Sequence, residues 1–260
     1  MTTTDKPSIL TETRDGVFII TINRPEVRNA TDFYAARELT RAFARLDSDP
    51  EVAVGIVTGA GGHFSSGKDL KAAVAESPLP TDGETEFVPP TRVEVRKPLI
   101  AAVEGHALGG GFDLVLACDL LVAAEDAVFT CSEVSRGLVA SEGGAARLPL
   151  RVPYGVAAEL LLTGTPISGI RAAEIGLANR VTPSGGALEG ALSLAQEIRR
   201  NSPRAVLATK QALRAATLKI EGEVFDVHDE IFAPVLAGPD GEEGARAFLE
   251  RRAPQWPSSW

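Results

Sequence analysis

Apolar and polar positions change their period along this chain, and the changes predict strands and helices in turn. Residues 16–22 (Gly-Val-Phe-Ile-Ile-Thr-Ile) form a β-branched, aromatic run that predicts a strand, closed by Asn23-Arg24-Pro25. From 32 to 46 the apolar positions recur at spacings of three and four (Leu39, Ala42, Phe43, Leu46), which predicts an amphipathic helix. The apolar run 52–58 predicts the next strand. After Lys97-Pro98 the pattern repeats: a strand at 99–103, a helix over 109–118, a strand at 120–123 and a short strand at 127–130. Such alternation favours an α/β architecture with largely covered sheets.

Beyond residue 185 the pattern is helical throughout, with helices expected at 187–199, 203–217, 223–236 and 242–251. Pro203 suits a first helical turn. These helices are expected to form a separate C-terminal cap rather than layers on a sheet, which divides the chain into a core at 1–185 and a helical region at 186–260. Residues 75–92 are rich in Pro, Glu and Thr and read either as a lid or as a passive linker.

The 260 residues can bury a full core, and 44% hydrophobic with 23% charged residues is an ordinary globular balance. A net charge of −9 without a basic run makes nucleic acid and anionic membrane poor partners, because phosphate binding needs clustered cations. The first seven residues lack a basic-then-apolar order, and no apolar stretch approaches the ~20 residues of a membrane span. The reading is a cytoplasmic protein. Cys118 and Cys131, both in apolar company, read as buried free thiols.

Two loops share one plan. His63-Phe64-Ser65-Ser66-Gly67-Lys68-Asp69-Leu70 follows the 52–58 strand, and His106-Ala107-Leu108-Gly109-Gly110-Gly111-Phe112-Asp113 follows the 99–103 strand. In each, an apolar strand enters a small-residue turn that opens a helix. Amides at a helix start lack intrahelical acceptors and suit an anion. Two of them converging on one oxygen would form an oxyanion hole. Glycine inside a helix costs ~1 kcal/mol relative to alanine. Three in succession therefore read either as room for a ligand against the backbone or as a tight turn with Asp113 favoured by the helix dipole. Glu133, twenty residues beyond Asp113, follows the short strand at 127–130. It suits an acid–base group, and it equally suits a solvated surface glutamate.

Other motifs fail. Gly59-Ala60-Gly61-Gly62-His63-Phe64 starts like a dinucleotide loop, but Phe64 takes its sixth position. Neither Ser65 nor Ser141 lies in a Gly-x-Ser-x-Gly elbow. His63, His106 and His228 are scattered without metal-ligand spacing, so no metal is expected.

The whole arrangement resembles the crotonase superfamily, the enoyl-CoA hydratase/isomerase family. The motif 64–70 (Phe-Ser-Ser-Gly-Lys-Asp-Leu) carries it, with the run 97–105 (Lys-Pro-Leu-Ile-Ala-Ala-Val-Glu-Gly) continuing into Gly111. Asn23-Arg24-Pro25 with Asn29-Ala30, Leu162-Thr163-Gly164, and the stretch 172–178 also match. The resemblance implies an α/β fold, a crotonase-like spiral of repeated ββα units with a helical C-terminal trimerisation region, assembled as a homotrimer or a dimer of trimers. It implies an acyl-CoA thioester as substrate, with coenzyme A part of that substrate and no permanently bound cofactor. The thioester oxygen would accept from the backbone N–H of Lys68 and Gly110. Glu133 would exchange the α-carbon proton, and Asp113 would activate the water added at the β-carbon. Substrate or CoA contacts are implied for Arg28, Ala30, Ser66, Lys68, Asp69, Leu70, Lys71, Gly109, Gly110, Ser132, Ser141 and Glu142.

Three departures from the hydratase pattern stand out. Position 113 carries Asp where hydratases usually have Glu, which withdraws the carboxylate by ~1.5 Å, about one C–C bond. Ser141-Glu142 replaces a small Gly-Ala pair and adds a third carboxylate, and Ser132 replaces a frequent Pro. Hydration of a 2-enoyl-CoA is the expected reaction. The alternatives are double-bond isomerisation by Glu133 alone, another crotonase-type lyase or hydrolase reaction, and an acyl-CoA-binding subunit of low activity.

Overall fold

The computed structural model describes residues 6–69, 72 and 89–258. Strand β2 (Val17–Ile22) is buried over nearly all its length because both faces of its sheet are covered. Even-numbered Phe18, Ile20 and Ile22 pack on one side against Leu39, Phe43 and Leu46 of α1 (Phe33–Ser48). Odd-numbered Val17 and Ile19 face the other side, so one strand of period two feeds two cores. Asp32 caps α1, its carboxylate accepting from the Ala35 N–H at 2.8 Å.

The large sheet runs β1 (Ile9–Arg14), β2, β3 (Val54–Gly59), β4 (Leu99–Val103), β6 (Leu120–Ala124), β9 (Arg180–Thr182). All pairings are parallel except β1 with β2. That hairpin turns at Asp15-Gly16, both at positive φ, as a two-residue connection requires. Strand β1 was not expected, because its polar half, Glu12 to Arg14, hides the period at an exposed edge.

A second sheet orders β5 (His106–Leu108), β7 (Val128–Thr130) and β8 (Ile167–Ser168). The chain passes from the large sheet to the small one and then into a helix, and does so repeatedly. β4 leads to β5 and α2 (Gly110–Ala117). β6 leads to β7, a 3-10 turn (Glu133–Arg136) and α3 (Gly144–Arg151). After β3, Ser65 makes a lone parallel bridge to Ala107, standing where the small-sheet strand stands in the later units. The expected ββα repeat is present. α4 (Tyr154–Thr163) and α5 (Gly169–Glu174) then lead to β9.

Two expectations for the C-terminal helices are corrected. α6 (Ala187–Arg199) has the expected bounds but is a layer on the sheet, not part of a separate cap. Its stripe Ala187, Ala191, Leu192, Ala195 packs on Val17, Ile19, Val54, Ile56, Ile100, Ala102 and Val122. Small side chains bring the helix close to the strands. The second correction concerns 203–217 and 223–236, which form one 34-residue helix, α7 (Pro203–Leu236). Gly222 does not break it, since a helical glycine costs only ~1 kcal/mol. The neighbouring Glu221 is held by two arginines.

α8 (Pro239–Glu250) docks backbone to backbone on the 3-10 turn that carries Glu133. A Cβ on Gly244 would lie 1.8 Å from the Arg136 carbonyl oxygen, and one on Gly137 would lie 2.1 Å from that of Asp240. At the exposed end of α8, Arg246 and Arg252 donate to the buried Glu243, which also accepts from the Gln255 N–H at 2.7 Å. The Arg252 guanidinium, the Gln255 amide and Arg246 hold that carboxyl well below the usual range. No helix among the described residues is long and apolar enough to cross a membrane.

Candidate active site

Loop 65–69 is fastened on both sides. Ser65 N–H donates to His106 O and Leu108 N–H to Ser65 O, each at 2.9 Å. On the other side, Thr31 N–H donates to Gly67 O at 2.8 Å, and Asp69 N–H to Thr31 O at 2.9 Å. In a parallel bridge the two flanking residues make the bonds, so the N–H of Lys68 itself points away from Thr31. Among the described residues no hydrogen bond is donated by the main-chain nitrogen of Lys68 or of Gly110. Gly110 is the first residue of α2, where the amide has no intrahelical acceptor.

The two nitrogens border one space. A Cβ on Gly110 would lie 3.7 Å from Lys68 N, and a Cβ on Gly67 would lie 3.0 Å from Gly110 N. Gly67 (φ 87°) and Gly109 (φ 53°) adopt left-handed backbone that other residues rarely take. Loops 63–69 and 106–113 therefore lie against each other.

Glu133 and Asp113 flank this turn. A Cβ on Gly109 would lie 3.1 Å from Glu133 Oε1, and one on Gly144 would lie 2.7 Å from Asp113 Oδ1. Asp113 is 1% exposed, in the first turn of α2. Asp113 Oδ1 and Glu133 Oε2 are both buried and have no hydrogen-bond partner among the described residues. Buried polar atoms are nearly always paired, so two orphans on neighbouring carboxyls mark a place for a ligand. Burial, then Glu133 and then Glu142, push Asp113 well above the ordinary carboxylate range, against the pull of Arg147 and the Glu142 N–H. Burial likewise raises Glu133, against its own amide and Arg136. Burial thus raises both carboxyls, and the charge of Glu133 adds to the rise of Asp113.

This makes a stability prediction. Folding raises the pKa of Asp113, so the stability it lends is complete below the ordinary Asp range and is lost as pH rises through the raised value. Asp113→Asn is expected to raise the thermal unfolding midpoint near neutral pH and to leave it unchanged at acid pH. An equal or lower midpoint at neutral pH overturns this.

Glu142 stands beside the pair, its carboxylate accepting from Thr91 Oγ1 at 3.0 Å. Arg92 donates to the Ser141 carbonyl at 3.4 Å. Ser132 precedes the 3-10 turn and makes no cap bond with its side chain. Arg28 is exposed at φ 52°, Ala30 is buried, and Ser66 Oγ donates to the Val27 carbonyl at 3.2 Å. The Lys68 side chain is exposed, and Asp69 pairs with Arg24 at 3.4 Å. Leu70, Lys71, the lid reading of 75–88 and the His228 side chain lie outside the described residues.

Three features escape the sequence pattern. Buried Arg147 pairs with Glu221 at 2.9 Å, and the buried Asn29 side chain ties Arg24 to the carbonyls of Ala60 and His63. The histidines taken as scattered are a touching pair at His63 and His106, with Nδ1 atoms 2.9 Å apart. No metal-binding cluster of three or more occurs among the described residues. Both cysteines are free and buried.

Two buried carboxyls with raised pKa values, beside two main-chain amides that donate to no described residue, are an arrangement suited to acid–base chemistry on a substrate that develops negative charge. The family described as Enoyl-CoA hydratase/isomerase matches residues 12–259, and the chain belongs to it. It is 40% identical over 257 residues to the enoyl-CoA hydratase EchA19 of Mycobacterium tuberculosis, covering 96% of each chain. It is 38% identical over 251 residues to the carnitinyl-CoA dehydratase of Proteus mirabilis, with 94% of this chain and 96% of that one covered. Among solved structures, EchA1_1 of Mycobacterium paratuberculosis superposes with a TM-score of 0.91 at 39% identity, covering 98% of this chain and all of the other. The crotonase-like α/β fold with its helical C-terminal region is the one expected.

Proposed function

We propose that this chain is an enoyl-CoA hydratase, adding water reversibly to a 2-enoyl-CoA through an enolate. The observation that carries the reading is the pair of orphaned carboxylate oxygens on Asp113 and Glu133 beside the two unpaired amides. The thioester oxygen is held by the N–H groups of Lys68 and Gly110, each worth ~10²–10³ in rate in comparable holes.

In the dehydration direction Glu133, as carboxylate, takes the α-proton. The electron pair moves onto the thioester oxygen, and Asp113 gives its proton to the departing β-hydroxyl. Hydration reverses each step. Burial raises both carboxyls, and Asp113, the more deeply buried, takes the role of proton donor in elimination. The main chains of Ser66 and Asp69, the Arg28 and Lys68 side chains, and the residues at 70–71 serve the CoA portion. Ser132, Ser141 and Glu142 border the acyl end. Exposed Leu213, Ile231, Phe248 and Leu249 on α7 and α8 suit a trimer, or a dimer of trimers.

Purified protein is expected to consume the conjugated-thioester absorbance of crotonyl-CoA or of longer enoyl-CoAs, and to form it from 3-hydroxyacyl-CoAs. Double-bond migration without water addition would favour the isomerase alternative. Binding with no turnover at any chain length would favour the acyl-CoA-binding subunit.

A further inference from the structure

α7 crosses behind the catalytic turn and brings Glu221 between two guanidiniums. Arg147 Nε lies 2.9 Å from Glu221 Oε2, and Arg214 Nη1 lies 2.8 Å from Oε1. The side chains of Arg147 and Glu221 are only 7% and 5% exposed. Buried charge of this kind is costly, and replacing such a cluster by apolar residues is often neutral or stabilising, so stability alone does not explain it. Its position does. Arg147 Nη1 faces the Glu142 carbonyl at 3.4 Å, and a Cβ on Gly143 would lie 2.2 Å from that same nitrogen. A Cβ on the next residue, Gly144, would meet Asp113 Oδ1. The guanidinium and the orphaned oxygen therefore flank one two-glycine turn.

We propose that Glu221 is a positioning residue for the reaction: with Arg214 it sets how much of the Arg147 positive charge reaches Asp113, and so which carboxyl of the pair keeps the proton. The inference rests on the hydratase reading above. The charged and titratable groups facing Asp113 are Glu133 on the 3-10 turn, Glu142 on the 141–143 turn, Arg147 on α3 and the Cys131 thiol beside β7. Arg147 is the one cation in that set. With two arginines and one glutamate the triad carries a net charge of +1. Removing Glu221 makes it +2 and favours ionised Asp113. Removing Arg214 makes it 0 and favours protonated Asp113.

The test is the pH profile of kcat/KM for dehydration of 3-hydroxybutyryl-CoA, whose alkaline limb reports loss of the Asp113 proton. Glu221→Gln is expected to move that limb about one unit toward acid, and Arg214→Gln to move it toward alkaline by a similar amount, the order expected for a unit charge change acting through one intervening guanidinium in a partly polar medium. A purely structural role would lower activity or unfolding temperature in both variants without moving the limb in opposite senses. Unmoved limbs, or movement in the same sense, overturn the proposal. Should Glu221→Gln fail to fold, Arg214→Gln decides alone: an alkaline move supports the proposal, and no move or an acid move overturns it. Asp113→Asn is the control for the underlying reading: turnover at the wild-type rate there sinks the hydratase assignment itself, whatever the other variants do.

Discussion

Glu133→Gln is expected to reduce hydration of crotonyl-CoA by ~10²–10⁴, the range for loss of a positioned general acid–base group. Glutamine keeps the shape and removes the exchangeable proton. The neighbours are undemanding: Oε2 has no partner among the described residues, and Oε1 faces Gly109, which has no side chain. The fold should therefore survive, and acyl-CoA affinity should change little. Steady-state absorbance gives the rate. Exchange of the α-hydrogen of a saturated acyl-CoA with deuterated solvent gives the step, and it should disappear with the rate. Exchange that continues unabated in this variant would assign the α-proton to another group, and Asp113 would then become the candidate.

Gly110→Pro addresses the amide that no ordinary substitution can remove. Proline is tolerated at the first helical position, where its missing N–H has no helical partner. Gly110 occupies that position in α2, and a Cβ there makes only ordinary contact at 3.7 Å from Lys68 N. The ring eliminates one of the two proposed donors and fills part of the space it faces. Turnover is expected to fall by at least ~10²–10³, the value of one such donor. The unfolding midpoint should stay close to wild type. Near-wild-type turnover in a folded Gly110→Pro protein would remove the oxyanion hole from the mechanism. The two variants also separate functions: Gly110→Pro should weaken every enolate-dependent step together, whereas Glu133→Gln stops proton transfer.

Much of this was legible along the chain, for physical reasons that differ by element. Strands β2, β3, β4 and β6 are buried on both faces, so their continuous β-branched and apolar runs declare them. α1 shows its stripe because one side meets the sheet and the other meets water. The glycines at 67 and 109–111 were conspicuous because each breaks a local preference, and such violations occur where a backbone must approach something closely. β1 was hidden because an exposed edge strand has no need of apolar alternation. The division of α7 into two helices failed because local apolar period weakens around Gly222, where a buried ion pair with α3 holds the helix instead.

By itself, then, the sequence determined the strands β2, β3, β4 and β6, the helix α1 and the two glycine turns, since these rest on local period and backbone freedom, while Asp113 and Glu133 stood out as a pair only through the family resemblance. Only the tertiary structure decided that the Lys68 and Gly110 amides border one space, that α6 is a sheet layer, and that Arg147, Glu221 and Arg214 meet behind Asp113. Those facts depend on contacts between residues far apart in the chain, 74 positions in the case of Arg147 and Glu221. Neither periodicity nor composition carries information about which distant side chains the packing of a sheet will bring within hydrogen-bond reach.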